Sequence, residues 1–331
     1  MVTGRSSSKK NGSLEAIEKT LKEMNIEYLV YDKVEENPTV ETVVLAGEIG
    51  RKEEVDFIVG IGGGSPIDAS KAIGVYILNK NLTKETLFTS EKLKSIPIVA
   101  VPTTAGTGTE TTQYAILTDH VEKTKKNLGQ EIFPVLSLVD PSFMMGMSIG
   151  ITRNTAIDAF SHVVEGYLNT NANKISDGLA ETALKEFSKT IEGLKRGNLS
   201  YEDRESLAIV SNIAGIIIAQ TGTSIPHGLG YSLTYYKNVP HGLANGCLYK
   251  EYLKVFKNRE KVNKIYELLV FEVEELNELL ENFCSVHIDI TEEEIKAWSK
   301  AFTNNKAKLK NHPEEITEED IIRIYKNSLL K

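Results

Sequence analysis

Cysteine is nearly absent: Cys247 and Cys284 are the two in 331 residues. They stand in unrelated contexts without ligand spacing. That argues against a disulfide framework and fits a reducing compartment. Long apolar runs are missing too. The longest, Ile209 to Ala219, is broken by Ser211 and Asn212 and is too short to cross a bilayer. The start, Met1 to Lys10, holds no apolar leader core, so a cytoplasmic location is expected. Positive charge is not in excess. The formal net charge of -8 speaks against nucleic acid or an anionic membrane as partner. Short basic runs, Lys9-Lys10 and Lys123 to Lys126, read as solvated surface. Histidine is sparse as well, six in all, which makes its placement informative.

What is present suits a globular enzyme. Hydrophobic residues make up 41% and charged residues 25%, enough apolar material for a substantial core. A chain of this length exceeds one ordinary core and is expected to form two domains. Up to about residue 145, strands and helices alternate. Leu14 to Met24 has helical periodicity behind Ser13 as a candidate N-cap. Tyr28 to Tyr31 reads as a strand, and Asn37-Pro38-Thr39 opens a helix with Val40, Val43, Val44 and Ala46 on its apolar stripe. Phe57 to Ile61 is a buried strand running into Gly62-Gly63-Gly64-Ser65, with Pro66 at a helix start. Further strands are expected at Ile98 to Val101, Tyr114 to Leu117 and Val135 to Val139. Such alternation implies a mostly parallel sheet with right-handed crossovers. From 146 to 331 the segments are long and helical in period. The expectation is an α/β nucleotide-binding domain over 1–145 and an all-helical metal-binding domain over 146–331. A doubly wound domain needs an opening strand, yet only Val2-Thr3 precedes Gly4. That strand is expected to be missing.

Three segments carry chemistry. Gly60-Ile61-Gly62-Gly63-Gly64-Ser65-Pro66-Ile67-Asp68 joins a strand to a helix. Glycines there let a backbone approach a pyrophosphate, whose charge the free N–H groups of the helix start attract. Pro102-Thr103-Thr104-Ala105-Gly106-Thr107 follows another strand and offers hydroxyls to phosphate or ribose. Two such loops at carboxyl ends of strands point to a dinucleotide across the sheet. The third is Asp158-x3-His162 together with His227-x13-His241. A spacing of four puts two side chains on one helix face. A carboxylate with three imidazoles suits a divalent transition metal. His120, His287 and His312 lack partners at ligand spacing and read as surface or structural residues. Glu165, one turn beyond His162, is a candidate to orient a ligand from behind.

In sequence order, Gly62-Gly-Gly-Ser-Pro-Ile-Asp68, Pro102-Thr-Thr-Ala-Gly-Thr107, Asp158-Ala-Phe-Ser-His162-Val-Val-Glu165-Gly and Pro240-His241-Gly resemble the signatures of the iron-containing (group III) alcohol dehydrogenases. The resemblance runs from residue 2 to residue 331. It implies an N-terminal α/β nucleotide domain, a C-terminal helical domain and a metal held by Asp158, His162, His227 and His241. It also implies a nicotinamide cofactor lined by Gly62, Gly63, Gly64, Ser65, Asp68, Thr103, Thr104, Thr107 and Lys125. Members that prefer NAD often carry an acidic residue after the first strand. Gly4 stands there, followed by Arg5 and Ser6. Without a carboxylate to repel it, a 2′-phosphate could bind Arg5 and the hydroxyls. NADP(H) is therefore expected over NAD(H), as in the butanol and propanediol dehydrogenase-like branch. Tyr231 stands where many members have a further histidine and is the candidate catalytic residue, alongside a packing role.

The implied reaction is reversible hydride transfer between nicotinamide and a small primary alcohol or aldehyde. Fe²⁺ is favoured by the resemblance, although the ligands would also hold Zn²⁺. The expected assembly is a homodimer. Two alternatives stay open at this level: a zinc enzyme of glycerol dehydrogenase type, and an inactive subunit short of its N-terminal strands.

Overall fold

The computed structural model describes residues 1–122, 124–284, 287–304 and 306–330. Lys123, part of one basic run, lies outside them. Met1–Met147 and Ser148–Lys331 form two compact units, a boundary two residues beyond the expected 145/146.

The first unit runs β1 (Val2–Gly4), α1 (Ser7–Lys10), α2 (Ser13–Glu23), β2 (Tyr31–Val34), α3 (Val40–Lys52), β3 (Ile58–Gly62) and α4 (Gly64–Leu78). It continues through β4 (Ile98–Pro102), β5 (Ile116–Asp119), β6 (Thr124–Asn127) and β7 (Leu136–Ser137). Five strands form a sheet in the order β2-β1-β3-β4-β7, and every neighbouring pair is parallel. β5 and β6 form a separate antiparallel pair. Here one expectation is corrected. The opening strand is present: Val2–Gly4 pairs with β2 on one side and β3 on the other. Three residues suffice because both edges find parallel partners.

Alternation along β3 sends side chains to two cores. Ile58 packs with Val43, Ala46, Ala72, Ile73 and Tyr76 of α3 and α4. Val59 and Ile61 pack with Leu14 and Ile17 of α2. Helices thus cover both faces, as a parallel sheet requires. Thr39 caps α3, its Oγ1 accepting from Thr42 N at 3.1 Å. Two strand starts differ from expectation for a physical reason. β2 begins at Tyr31, not Tyr28, because pairing with the short β1 starts there. β5 begins at Ile116, not Tyr114, because the Tyr114 carbonyl is taken by Lys71 Nζ at 2.7 Å.

The second unit is helical, with no strand among the described residues. It runs α5 (Ile149–Tyr167), α6 (Lys174–Arg196), α7 (Tyr201–Thr221), α8 (Ile225–Lys237), α9 (His241–Gly246) and α10 (Tyr249–Tyr252). Then come α11 (Glu260–Leu269), α12 (Val273–Phe283), α13 (Glu292–Asn304), α14 (Lys306–Leu309) and α15 (Glu318–Leu329). Ser148 caps α5, and capping boxes start α6 at Asn173 and α7 at Ser200. α5 is buried all round from Ala156 to Tyr167, packed by α6, α7 and α9. Phe160 sits in that core against Phe187 and Tyr249, with ring centroids 5.2 and 5.7 Å away. Among the described residues no single helix is long and apolar enough to cross a membrane.

Candidate functional site

Each unit brings one group of polar residues together, and each is described by itself. In the second unit, α5 carries Asp158, His162 and Glu165 on one stripe, all buried. His227 stands in the first turn of α8, behind Pro226, and His241 is the first residue of α9. Pro240 offers α9 no side-chain cap. Asn154 of α5 does that work, its Oδ1 accepting from Leu243 N at 3.1 Å. The two helices meet backbone to backbone: a Cβ on Gly242 would lie 1.9 Å from the Asn154 carbonyl oxygen. Only glycine permits that approach.

The result is a tight cluster. Asp158 Oδ1 lies 3.6 Å from His227 Nε2 and 3.8 Å from His241 Nε2. Ligand atoms of these three residues fall within 4.8 Å of one another. His162 borders the cluster: its ring stacks on His227 at 4.4 Å, but its nitrogens are not among the atoms gathered within that distance. Tyr231 stacks on His241, ring centroids 5.6 Å apart and nearly parallel. Glu165 stands behind His227. Its Oε1 is 2.5 Å from His227 Nδ1 and accepts from Tyr249 Oη at 3.0 Å, while Oε2 accepts from Ser224 N at 2.5 Å. A carboxylate only accepts, so Nδ1 carries a proton, and Nε2 is the nitrogen left to meet a cation, which would displace the proton there.

A divalent ion fits these residues. His227 Nε2 is buried and has no hydrogen-bond partner among the described residues. Crowding a carboxylate oxygen and two imidazole nitrogens into one buried volume is unfavourable unless a cation is shared. Burial alone would raise the Asp158 carboxyl, but His162, His241 and His227 outweigh it and hold it well below the usual range. Burial works to lower the His227 imidazole, yet Glu165 and Asp158 push it up to about 9. The cluster is an electrostatic unit in which each group fixes the charge of the next.

In the first unit the residues gather at the carboxyl ends of parallel strands. The order in which strands are added reverses between β1 and β3, with β2 on one side and β3, β4 and β7 on the other; this is the switch point where such parallel sheets bind ligands. Gly4 ends β1 and Gly62 ends β3, so both flank that point. Arg5 and Ser6 follow Gly4 and are exposed. Gly63 and Gly64 face the second loop: a Cβ on Gly63 would come 3.0 Å from Thr104 Oγ1, and one on Gly64 2.8 Å from Thr107 Cγ2. Thr103 N donates to the Gly62 carbonyl at 2.8 Å. Ser65 Oγ accepts from Asn37 N at 3.1 Å, and Lys125 Nζ donates to Asn37 Oδ1 at 2.7 Å. Asp68 lies deeper, its two oxygens taken by Thr109 Oγ1 at 2.5 Å and Ile116 N at 2.9 Å.

Two family descriptions match the chain. "Iron-containing alcohol dehydrogenase" covers residues 1–141 and "Fe-containing alcohol dehydrogenase family, C-terminal" covers residues 152–329. The chain belongs to the iron-containing alcohol dehydrogenase family. It is 31% identical to the NADPH-dependent butanol dehydrogenase of Clostridium saccharobutylicum over 80% of this chain and 69% of that one. Identity to the NAD-dependent methanol dehydrogenase of Bacillus methanolicus is 30%, over 71% and 62%. The aligned part spans 57% to 69% of the length of the leading curated relatives. A crystal structure of an iron-containing alcohol dehydrogenase from Thermotoga maritima superposes with TM-score 0.91 and 40% identity, covering 99% of this chain and 90% of that one.

Within this family member, several site residues escaped the sequence. Asn245 is buried, with Nδ2 3.4 Å from both Asp158 Oδ1 and His241 Nε2. It stands four residues after His241, so the spacing rule that linked Asp158 to His162 could have found it. Asn37, with φ of 59°, joins Ser65 and Lys125; its Asn-Pro context suggested only a helix start. Lys71, three residues after Asp68, belongs to none of the motifs that the sequence singled out, yet it is fully buried.

Proposed function

We propose that the chain is a metal-dependent, NAD(P)-linked alcohol dehydrogenase and aldehyde reductase for small primary alcohols or aldehydes. The observation that carries this reading is the buried Asp158–His227–His241 cluster with Glu165 fixing the tautomer of His227. Asp158, His162, His227 and His241 would hold the metal. When bound, a divalent ion supplies Lewis acidity toward a substrate oxygen, and the nicotinamide gives or takes the hydride.

The chain's own residues do the positioning. Glu165 holds the His227 proton on Nδ1 so that Nε2 stays free to coordinate. Asn245 steadies the Asp158 oxygen, and the Tyr231 ring covers the face of His241. Tyr231 is proposed to hydrogen-bond the substrate oxygen, since a phenol serves better as donor than as base near neutral pH. Gly4, Arg5, Ser6, the Gly62–Ser65 turn, Thr103, Thr104, Thr107 and Lys125 are proposed to hold the dinucleotide. NADP(H) is proposed over NAD(H) because Gly4 puts no carboxylate where the ribose would lie and Arg5 is exposed beside it. Fe²⁺ is proposed as the metal, with Zn²⁺ chemically acceptable. A homodimer in the cytoplasm, without nucleic-acid or membrane partners, accords with the acidic charge and scarce cysteine.

The test is reduction of short aldehydes by the Fe²⁺- or Zn²⁺-loaded chain, followed by nicotinamide absorbance with NADPH against NADH. Turnover with NADPH at higher kcat/KM is the expected result. Folded, metal-loaded protein that turns over with neither cofactor overturns the reading.

A further inference from the structure

α8 brings His227 to the cluster, yet its own N-cap does not fix where it begins. Ser224, at that position, makes no side-chain cap bond, so the helix start depends on contacts from elsewhere. The link from α7 to α8 turns at Gly222, whose φ of 74° lies in the left-handed region. The contacts that place this link come from residues distant in sequence. Just beyond α5, Asn171 Nδ2 donates to Thr221 O and Asn169 Nδ2 to Gly222 O, both at 3.2 Å. Ser224 N donates to Glu165 of α5 itself.

Thr223 is buried and is held from α14 and the turn after it. Lys308 Nζ donates to its Oγ1, and Asn311 Nδ2 donates to its carbonyl at 2.8 Å. Asn311 also faces the other ligand-bearing helix. Its own carbonyl accepts from Thr170 N, just past the end of α5, at 2.9 Å. Asn311 thus spans the end of α5, which carries Asp158, His162 and Glu165, and the start of α8, which carries His227. Gly228, next to His227, lets α8 come close to this segment: a Cβ there would run into the Phe302 ring and lie 3.2 Å from Lys308 Cγ.

We propose that Lys308 and Asn311 are positioning residues for the metal cluster, holding Thr223 so that Ser224 N and the first turn of α8 keep Glu165 and His227 in register. This rests on the metal reading of Asp158, His162, His227 and His241. Neither residue is a ligand. Each acts through the α7–α8 link, and a loosened link lets His227 Nε2 drift away from Asp158 Oδ1. The charge that bears on Lys308 is that of Glu165, which makes a charge effect separable from a positioning effect. An ammonium near the cluster repels a cation. Deleting it tightens metal binding if charge is its contribution, and weakens binding if it holds Thr223.

The experiment strips the full chain with chelator and titrates Co²⁺ back against a competing chelator. It reads affinity and the visible Co²⁺ bands, which report ligand geometry, while circular dichroism follows the fold of each variant. Asn311→Leu is expected to lower Co²⁺ affinity about 10–100-fold and to change the bands. Lys308→Met should lower it about tenfold. Lys308→Gln, a neutral donor for Thr223, should stay within about threefold of the parent. If Asn311→Leu does not fold, Thr223→Val decides the matter: it removes only the hydroxyl and should weaken Co²⁺ binding as Lys308→Met does. Folded variants with the parent's affinity and bands, or Lys308 variants that bind Co²⁺ more tightly, overturn the proposal. A parent chain that takes up no Co²⁺ overturns the metal reading itself, a distinct result.

Discussion

The two units position polar groups by opposite means. In the second, function hangs from side chains on long buried helices: Asp158, His162 and Glu165 share one helix face, and two short helix starts bring His227 and His241 to it. In the first, the acting groups are mostly backbone and small hydroxyls in loops at strand ends. Their placement depends on residues one layer back, such as Lys71 and Asp68. A helix-borne cluster is stiff but intolerant, because Asp158, His162, Glu165 and His227 are buried and His241 is half-buried beside them. A loop-borne site adapts more readily and loses affinity before it loses its fold.

The comparison breaks most visibly at Asp158. Asp158→Ala should empty the cluster of metal and lower kcat/KM by about 10³-fold or more, since several kcal/mol of barrier lowering go with the ion. Fluorescence titration should find NADPH affinity within twofold of the parent, to about the precision such Kd values carry. Coupled loss of both would show that the units are not separable.

Stability against pH probes the helical unit alone. His312 is buried against the Tyr252 and Phe256 rings, and burial pushes its imidazole down to about 4, opposed only by Glu314. Between pH 4 and 6.5 the unfolded chain therefore binds a proton that the folded chain does not. Stability should fall as pH drops through that window, by about 3 kcal/mol in full, and be flat in this respect above it. Urea unfolding of parent and His312→Leu at pH 7 and pH 5 checks this: the variant should lose less stability on acidification.

Glu165→Gln sharpens the metal side. An amide in place of the carboxylate is a weaker partner for His227 Nδ1, and metal affinity should drop about 10–100-fold by competition with a chelator while the thermal unfolding profile of the first unit persists. The mildest expected change concerns the loop unit. Gly4→Asp should move the NADPH-to-NADH ratio of kcat/KM toward NADH by about tenfold, near the worth of one charged contact.

Much of this was legible in the sequence. The alternation of elements, the boundary region, the glycine turn, the threonine loop and the Asp158, His227 and His241 group could all be read, because each rests on local spacing. What could not be read depends on partners distant in sequence. Val2–Gly4 looked too short for a strand until both of its neighbours were seen. Asp68, expected beside the cofactor, also ties down Thr109 and Ile116, some forty residues on, which no local spacing could show. Lys71 carries no signal that distinguishes it from any helical lysine, and Asn245 carries only its spacing of four from His241. His312 lacked a partner at ligand spacing, and that reading survives as a buried histidine wedged between aromatic rings.

The Gly242–Asn154 contact has a mechanical consequence. Asn154 sits one helical turn before Asp158, and Gly242 follows His241 directly, so the distance between carboxylate and imidazole is set by two peptide groups in hard contact. Side chains can swing about their bonds, whereas abutting backbones meet a steep repulsive wall. The second unit thus carries its own gauge block: a fixed stop that keeps the same small aperture whatever occupies it, and that even one added methyl would force open.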